Sequence, residues 1–463
     1  MFHNDNRLRK TAPASFRLFY PKPDKISAKQ VARQESRKKE WPFFYSFALL
    51  MKKNLSFFNL LLLAMLILLT ASCGHSPKTP QHQKRKDISF NGFIPYVSRD
   101  SLIIAAKAKE LDRLFRHLRK RTGFNGVVLY AEKGRIILQK AYGFRNVRRR
   151  RDPLQTGDAF QLASGSKMFS ALAIMILKHR GLVAYDTDIR KYLPGFPYKG
   201  ITLRLMMNHR TGLPRYMSLA QKEWKNKRKP LSNEAMLQLF EQYKPDVYFR
   251  PDRGFHYCNT NYALLANVVE AVTGMHFEDF IRKNIFKPLG MDSSFVYSMR
   301  GEKTVPLYVN RGVPGWYLRG WRWREMTNDY LNGVLGDKNI YCSVEDLYKF
   351  DRSWDLFTLL PDSVLREAFV PGSPHYWRRK DNYGFGWRIR ESLDSTVYHF
   401  GWWKGFRSFN IRDMKHHKTL IVLTNTDRGP GSASFWHIIK SDTLPLGNAV
   451  PLSLHPTGQA PTH

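Results

Sequence analysis

Ser164 and Lys167 stand three residues apart in the stretch QLASGSKMFSALAI, where apolar residues begin to recur at helical spacing at Met168, Ala171, Leu172, Met175 and Ile176. That spacing puts a hydroxyl and an amine on one helix face. A serine hydroxyl is a weak nucleophile until a nearby base takes its proton, and desolvation of an amine favours its neutral, basic form. At a helix start the backbone N–H groups are unpaired and the dipole is positive, which favours negative charge on an attacked carbonyl oxygen. Two further stretches supply partners. In FHYCNTNY, Tyr257 and Asn259 are two apart, so in extended chain their side chains point one way and Cys258 the other, and Tyr257 could share the proton with Lys167. In YHFGWWKGFRS, His399 and Gly401 fall in a strand-like run, and the glycine lets another backbone approach closely. Ser166, the rival hydroxyl, lies next to Lys167 and projects off its face.

A helix start, a loop and a strand far apart in sequence must be brought together, and the flanking pattern says how. RDSLIIAAKAKELDRLFRHLRKRTG carries Ile104, Leu111, Leu114, Phe115 and Leu118 at helical spacing and stops at Gly123, which predicts an amphipathic helix. NGVVLYAEKGRIILQKAYGF reads as a hairpin turning at EKGR. Near the other end YGFGWRIRES, STVYHFG, RSFNIRDM and KTLIVLTNT are short strand-like runs, and SASFWHIIK reads as a closing helix. Between them, from about 186 to 371, helical patches alternate with long loops. The expected fold is α+β, with one antiparallel sheet built from both terminal segments, flanked by helices and interrupted by a mostly helical insertion.

Ser164-Gly165-Ser166-Lys167, Tyr257-Cys258-Asn259 and His399-Phe400-Gly401, in that order, resemble the three motifs of the serine β-lactamase-related family. That family includes class C β-lactamases, penicillin-binding DD-peptidases, D-aminopeptidases and family VIII esterases. The stretches DPLQTGDAFQLASGSK, LMMNHRTGLPRY, FRPDRGFHYCNTNYALLANVVE, IFKPLGMDSSFV, GDKNIYCSVEDLYKF and YGFGW agree with it over about residues 106 to 440. The resemblance implies that Ser164 is the nucleophile, Lys167 its basic partner and Tyr257 a second proton-handling group. It further implies that Asn259 orients the substrate or Lys167, and that the N–H groups of Ser164 and Trp402 form the oxyanion hole. Two positions depart from the family pattern. Cys258 stands where serine or alanine is usual, and His399 replaces a lysine that anchors a substrate carboxylate. A histidine is mostly neutral at pH 7, so the expectation moves toward esters or amides without that carboxylate. Trp316, Trp321 and Trp323 are candidates for an aromatic wall beside the cleft.

The 463 residues are 43% hydrophobic, enough for a substantial core, and carry a formal charge of +37. The basic residues are scattered over polar connecting stretches without zinc-ligand spacing or a helix-turn-helix pattern, so the charge reads as a solvated surface suited to anionic envelope polymers or lipid rather than to nucleic-acid readout. MKKNLSFFNLLLLAMLILLTASCG has the outline of a secretory signal ending in LTASC, similar to a bacterial lipobox with Cys73 as the lipidated residue. The organisation expected is a segment 1–50 that is either disordered or not part of the native protein, a lipoprotein signal peptide 51–72, a polar spacer 73–105, the hydrolase domain 106–440 and a tail 441–463. Cys258 and Cys342 read either as a disulfide pair or as two small buried residues. The functional expectation is an exported serine hydrolase, held by lipid in the bacterial envelope. It would act without metal or cofactor on a small-molecule or peptide substrate. Its alternatives are a peptidoglycan DD-carboxypeptidase or β-lactamase, and a catalytically idle peptide-binding scaffold.

Overall fold

The periodic apolar residues of the first predicted helix do form one, α1, Ser98–Thr122, which closes on Arg119, Lys120 and Arg121 and is stopped by Gly123 at a φ of +73°. The expected domain boundary at residue 106 therefore falls inside a helix. The computed structural model describes residues 98–300, 312–373 and 381–446, all within the unit Ser89–His463. The expected signal peptide, Cys73, most of the spacer and the end of the tail lie outside the described residues. None of the described helices is long and apolar enough to cross a membrane.

The main sheet has seven strands, which are β1 Gly126–Glu132, β2 Arg135–Tyr142, β3 Asn382–Tyr383, β4 Arg388–Ile389, β5 Thr396–Trp403, β6 Phe406–Asp413 and β7 Lys418–Thr424. Their spatial order is β3-β4-β5-β6-β7-β1-β2, and every pairing is antiparallel. The N-terminal hairpin turns at Lys133 and Gly134, both at positive φ. It joins the C-terminal strands through β1 and β7, with Val128 opposite Val422. Burial of β1 along its whole length follows from the layers. Val128 and Tyr130 pack with Leu111 and Phe115 of α1 and with Phe435 of the closing helix Ser432–Lys440, while Val127 and Leu129 face the inserted region.

The helix carrying Lys167, α2, Ser166–His179, is buried at every position from Ser166 to Leu177, well beyond the stripe its sequence displays. It is the central helix of the larger core and packs on α3, Asn259–Thr273. The insertion holds more strand than the sequence reading allowed. Phe295–Val296 and Ile340–Cys342 join Phe160–Gln161, which precedes the insertion, in a small sheet, and Gly315–Arg319 pairs with Arg322–Met326 as a hairpin. The sequence reading took the tryptophans of this segment for an aromatic wall and did not anticipate the hairpin, whose turn is made by Gly320 at a φ of +60°. Cys258 and Cys342 are both buried and unpaired.

Candidate active site

Ser164 sits in a single 3-10 turn, Ala163–Gly165, immediately ahead of α2 rather than within its first turn. Ala163 is held at a φ of +48°, a conformation that non-glycine residues adopt only when their surroundings impose it. Those surroundings are specific. The Leu162 N–H donates to the Ile340 carbonyl at 2.8 Å, and the Leu162 carbonyl accepts from the Gly165 N–H at 2.9 Å and from Ser408 Oγ at 2.6 Å. Pairing of β5 with β4 ends at Tyr398, so among the described residues the next part of β5 has no strand on that side and packs on the turn instead. A Cβ at Gly401 would lie 2.0 Å from the Leu162 carbonyl oxygen and 3.0 Å from the Ser164 nitrogen. Glycine here is what lets β5 pass against the nucleophile's backbone; the ring of the next residue, Trp402, is 71% exposed.

Lys167 is fully buried and its Nζ donates to Ser164 Oγ at 3.2 Å and to the Asp337 carbonyl at 2.9 Å. Asp337 lies in the stretch GDKNIY, where the sequence reading assigned it no role. Its carboxylate accepts from Lys338 Nζ at 3.0 Å and from the Tyr216 hydroxyl at 3.1 Å, and Lys338 also donates to the Tyr216 oxygen at 2.6 Å. Burial pulls the Lys338 amine below its usual range even with Asp337 beside it. This buried trio fixes the carbonyl that holds Lys167 against Ser164. Ser166 is fully buried and its Oγ accepts from the Ile340 N–H at 3.0 Å, which removes it from the nucleophile's side.

Tyr257 lies with its ring centroid 5.2 Å from Lys167 Nζ. Cys258 points the other way, with Sγ 3.6 Å from the Pro214 carbonyl, as the alternation predicts. His209, another residue missed, holds this loop in place. Its Nδ1 accepts from the Cys258 N–H at 3.2 Å and pairs with Asn261 Nδ2 at 3.1 Å, and its ring lies 4.3 Å from that of Tyr257. Burial, then the charges of Lys167 and Arg388, keep His209 well below the usual imidazole range and hence neutral. Asn259 opens α3. Its Nδ2 reaches Met217 Sδ at 3.9 Å, while Oδ1 is buried without a hydrogen bond among the described residues, an acceptor facing no donor.

His399 was expected to face the substrate, yet its side chain is 1% exposed and both ring nitrogens are engaged. Nδ1 lies 2.9 Å from the Phe400 carbonyl, which can only accept, so Nδ1 carries the proton and Nε2 accepts from the Tyr383 hydroxyl at 2.9 Å. Burial, reinforced by Arg388 and Lys167, keeps the ring neutral. His399 thus anchors Tyr383, whose ring lies 4.6 Å from His209 and 6.0 Å from Tyr257. The expected aromatic wall divides. Trp316 is 4% exposed, with Nε1 donating to the Arg145 carbonyl at 2.8 Å, and belongs to the core; Trp321 is 84% exposed at the hairpin tip. Trp323 is half-buried on the same hairpin.

With a serine, a buried lysine and a tyrosine converged on one turn, comparison with known proteins is informative. Residues 111–441 match the Beta-lactamase family. Penicillin-binding protein 4* of Bacillus subtilis (strain 168) is 34% identical over 329 residues, covering 69% of this chain and 72% of that protein. A D-aminopeptidase of Cereibacter sphaeroides is 25% identical over 365 residues, covering 78% of this chain and 66% of the enzyme, a little under two thirds of its length. Among solved structures, a penicillin-binding protein from Bacillus halodurans superposes with a TM-score of 0.59 at 23% identity, covering 70% of this chain and 98% of that one. D-amino acid amidase from Ochrobactrum anthropi SV3 does so at 0.53 and 23%, covering 70% and 92%. The α+β architecture is that of these neighbours, and the chain belongs to the Beta-lactamase family as a serine hydrolase.

Proposed function

We propose that the protein cleaves an amide or ester bond next to a D-amino acid through an acyl-enzyme on Ser164, outside the cytoplasm and tethered by lipid at Cys73. The observation that carries the reading is the 3.2 Å contact between Ser164 Oγ and a lysine with no exposure to solvent. In its neutral form Lys167 accepts the hydroxyl proton as Oγ attacks the scissile carbonyl. The carbonyl oxygen, now negative, is received by the N–H groups of Ser164 and Trp402 on the turn and on β5. Tyr257 passes its proton to the leaving amine or alkoxide and takes up in its place the proton held by the Lys167 ammonium beside its ring, which returns both groups to their starting state. Water then attacks the acyl carbon, with the same groups acting in reverse, and frees Ser164. The unpaired Asn259 Oδ1 is suited to accept a substrate N–H.

The D-amino-acid preference rests on likeness to proteins named D-aminopeptidase and D-amino acid amidase, and on an intact Ser164, Lys167 and Tyr257. The export and anchoring rest on the signal-like run and LTASC alone. Hydrolysis of D- and L-alanine p-nitroanilides by the purified chain tests the chemistry. The proposal expects turnover of the D isomer, abolished in Ser164→Ala; turnover of the L isomer alone, or activity surviving that substitution, contradicts it. Covalent labelling by a fluorescent penicillin without anilide turnover would favour the DD-peptidase alternative, to which the 34% identity with a penicillin-binding protein lends weight. For anchoring, Cys73→Ser is expected to abolish fatty-acid labelling in a bacterial host.

A further inference from the structure

The hairpin of Gly315–Arg319 with Arg322–Met326 takes no part in the chemistry at Ser164, and its outer residues do not pack. Trp321, in the turn, is 84% exposed, with the Cζ of Arg322 5.9 Å from its ring centroid. Cross-strand register sets Arg319 opposite Arg322 and Tyr317 opposite Arg324, so the alternation of side chains gathers the three arginines on one face of the ribbon. All three are exposed, and among the described residues none has a carboxylate within ion-pair distance. Like charges directly opposite on a ribbon repel and weaken it. The other face holds buried Trp316 and half-buried Leu318 and Trp323.

This hairpin is firmly mounted. The Trp316 N–H donates to the Asn425 carbonyl at 2.8 Å and the Leu318 N–H to Asp427 Oδ1 at 3.2 Å. Gly315 packs so near the turn between β5 and β6 that a Cβ there would lie 2.1 Å from the Lys404 carbonyl oxygen. Through its Nε1, Trp316 also ties the hairpin to the Arg145 carbonyl, in a second small ribbon formed by Phe144–Asn146 and Arg151–Pro153. Where that ribbon turns, Arg148, Arg149, Arg150 and Arg151 are consecutive and exposed, again with no ion pair among the described residues. The exposed carboxylates on the two turns are Asp152 and Glu325, too few to neutralise these arginines.

We propose that the two turns form a docking surface for an anionic phospholipid bilayer, with Trp321 seated at the headgroup boundary and the arginines on lipid phosphates. An indole prefers the interface between water and hydrocarbon, where its apolar ring and its N–H are both accommodated. The planar fork of an arginine matches phosphate oxygens, and anionic headgroups would relieve the repulsion between Arg319 and Arg322. A soluble phosphate polymer would answer the arginines and leave the Trp321 indole in water, whereas a bilayer surface engages both. The contact depends neither on the chemistry at Ser164 nor on lipid at Cys73. Because the hairpin is mounted on the turn that follows β5, it would hold the strand carrying Gly401 beside the bilayer.

The test is vesicle co-sedimentation of the full chain, with Cys73→Ser in every sample so that no acyl chain contributes. Vesicles of phosphatidylcholine alone record any insertion of the apolar run Leu60–Leu69, and vesicles with phosphatidylglycerol added record the charge-dependent part. An arginine near an anionic surface is worth roughly fivefold in binding. The triple variant Arg319→Gln, Arg322→Gln, Arg324→Gln should therefore lose on the order of a hundredfold in affinity for the anionic vesicles, with an unchanged thermal melt. Trp321→Ser, which keeps every charge, should lose about tenfold. A control triple variant, Lys199→Gln, Arg253→Gln, Lys283→Gln, removes the same charge from exposed positions on the inserted region and should lose less than about fivefold. Equal losses in the two triple variants would show diffuse attraction by net charge and overturn the surface. Unaltered binding by Trp321→Ser, together with equal affinity of the native chain for soluble polyglycerol phosphate, would make the ligand a polymer and overturn the bilayer. A native chain with no preference for the anionic vesicles overturns the proposal outright.

Discussion

Gly401→Ala should inactivate the enzyme without unfolding it, and the structure sets the scale. An alanine Cβ would sit 2.0 Å from the Leu162 carbonyl oxygen, 2.5 Å from Ser408 Oγ and 3.0 Å from the Ser164 nitrogen, where ordinary contact begins at 3.4 Å. Relief needs about 1.4 Å of separation between β5 and the nucleophile turn. The turn cannot supply it. Leu162 is pinned on both sides, by Ile340 and by Ser408 and Gly165, and Ala163 already occupies a strained conformation. The strand must move instead, carrying the Trp402 amide, the proposed second oxyanion donor, away from the Ser164 amide. A displacement near 1 Å at a catalytic site costs on the order of a hundredfold, and loss of one oxyanion donor about a hundred- to thousandfold. Overpacking of this kind costs about 1–3 kcal/mol of stability. The assay is the second-order rate of fluorophosphonate acylation, measured beside a thermal melt. A rate within about threefold of the native value in a folded Gly401→Ala chain would refute the claim that β5 and the turn together build the oxyanion site.

Three further outcomes follow from the same geometry. Ser166→Ala removes the acceptor of the Ile340 N–H, so it should lower stability by about 1–3 kcal/mol while leaving acylation intact; thermal denaturation and labelling read the two separately. Tyr257→Phe keeps the ring that packs on His209 and removes only the hydroxyl, so kcat should fall by about a hundred- to ten-thousandfold with an unchanged melt, and a fall below tenfold would remove Tyr257 from proton transfer. Stability should also decline on acidification below about pH 6.5. His209 and His399 are held neutral by burial in the folded chain, so the unfolded chain binds protons first, and their contribution, complete above the unfolded value, is lost as pH falls. Each contributes up to about 1.4 kcal/mol per pH unit in that window. Asp351, pushed up to about 6 by burial, acts oppositely between about pH 4 and 6, one proton against two. Denaturant unfolding at stepped pH should show the slope, and His399→Asn should flatten it; an equal slope in that variant would show that His399 is not the titrating group.

Much of this was legible in the sequence because the informative patterns were local. The α1 stripe, the EKGR turn and the short C-terminal strands each state their own structure, and their union into one sheet follows from strands at both ends. Ser164, Lys167 and Tyr257 were legible as types at meaningful spacing, and Gly401 as a strand glycine needing a close neighbour. What stayed hidden depends on burial and long-range pairing. His399 carries the letters of a substrate contact, but only the fold shows that Tyr383 occupies one of its nitrogens and the Phe400 carbonyl the other. Asp337, Lys338 and Tyr216 form a unit spread over more than a hundred residues of sequence, and no local pattern links them.

The central claim is that Ser164, and no other hydroxyl, is the nucleophile, and the sequence supplies a convenient peptide for testing it. Cleavage after Arg151 and Lys167 releases Asp152–Lys167, which contains both Ser164 and Ser166. Fragment-ion mass spectrometry of that peptide after fluorophosphonate treatment should place the adduct on Ser164, and the Ser164→Ala chain should carry none. An adduct on Ser166, or undiminished labelling of the Ser164→Ala chain, would contradict the account.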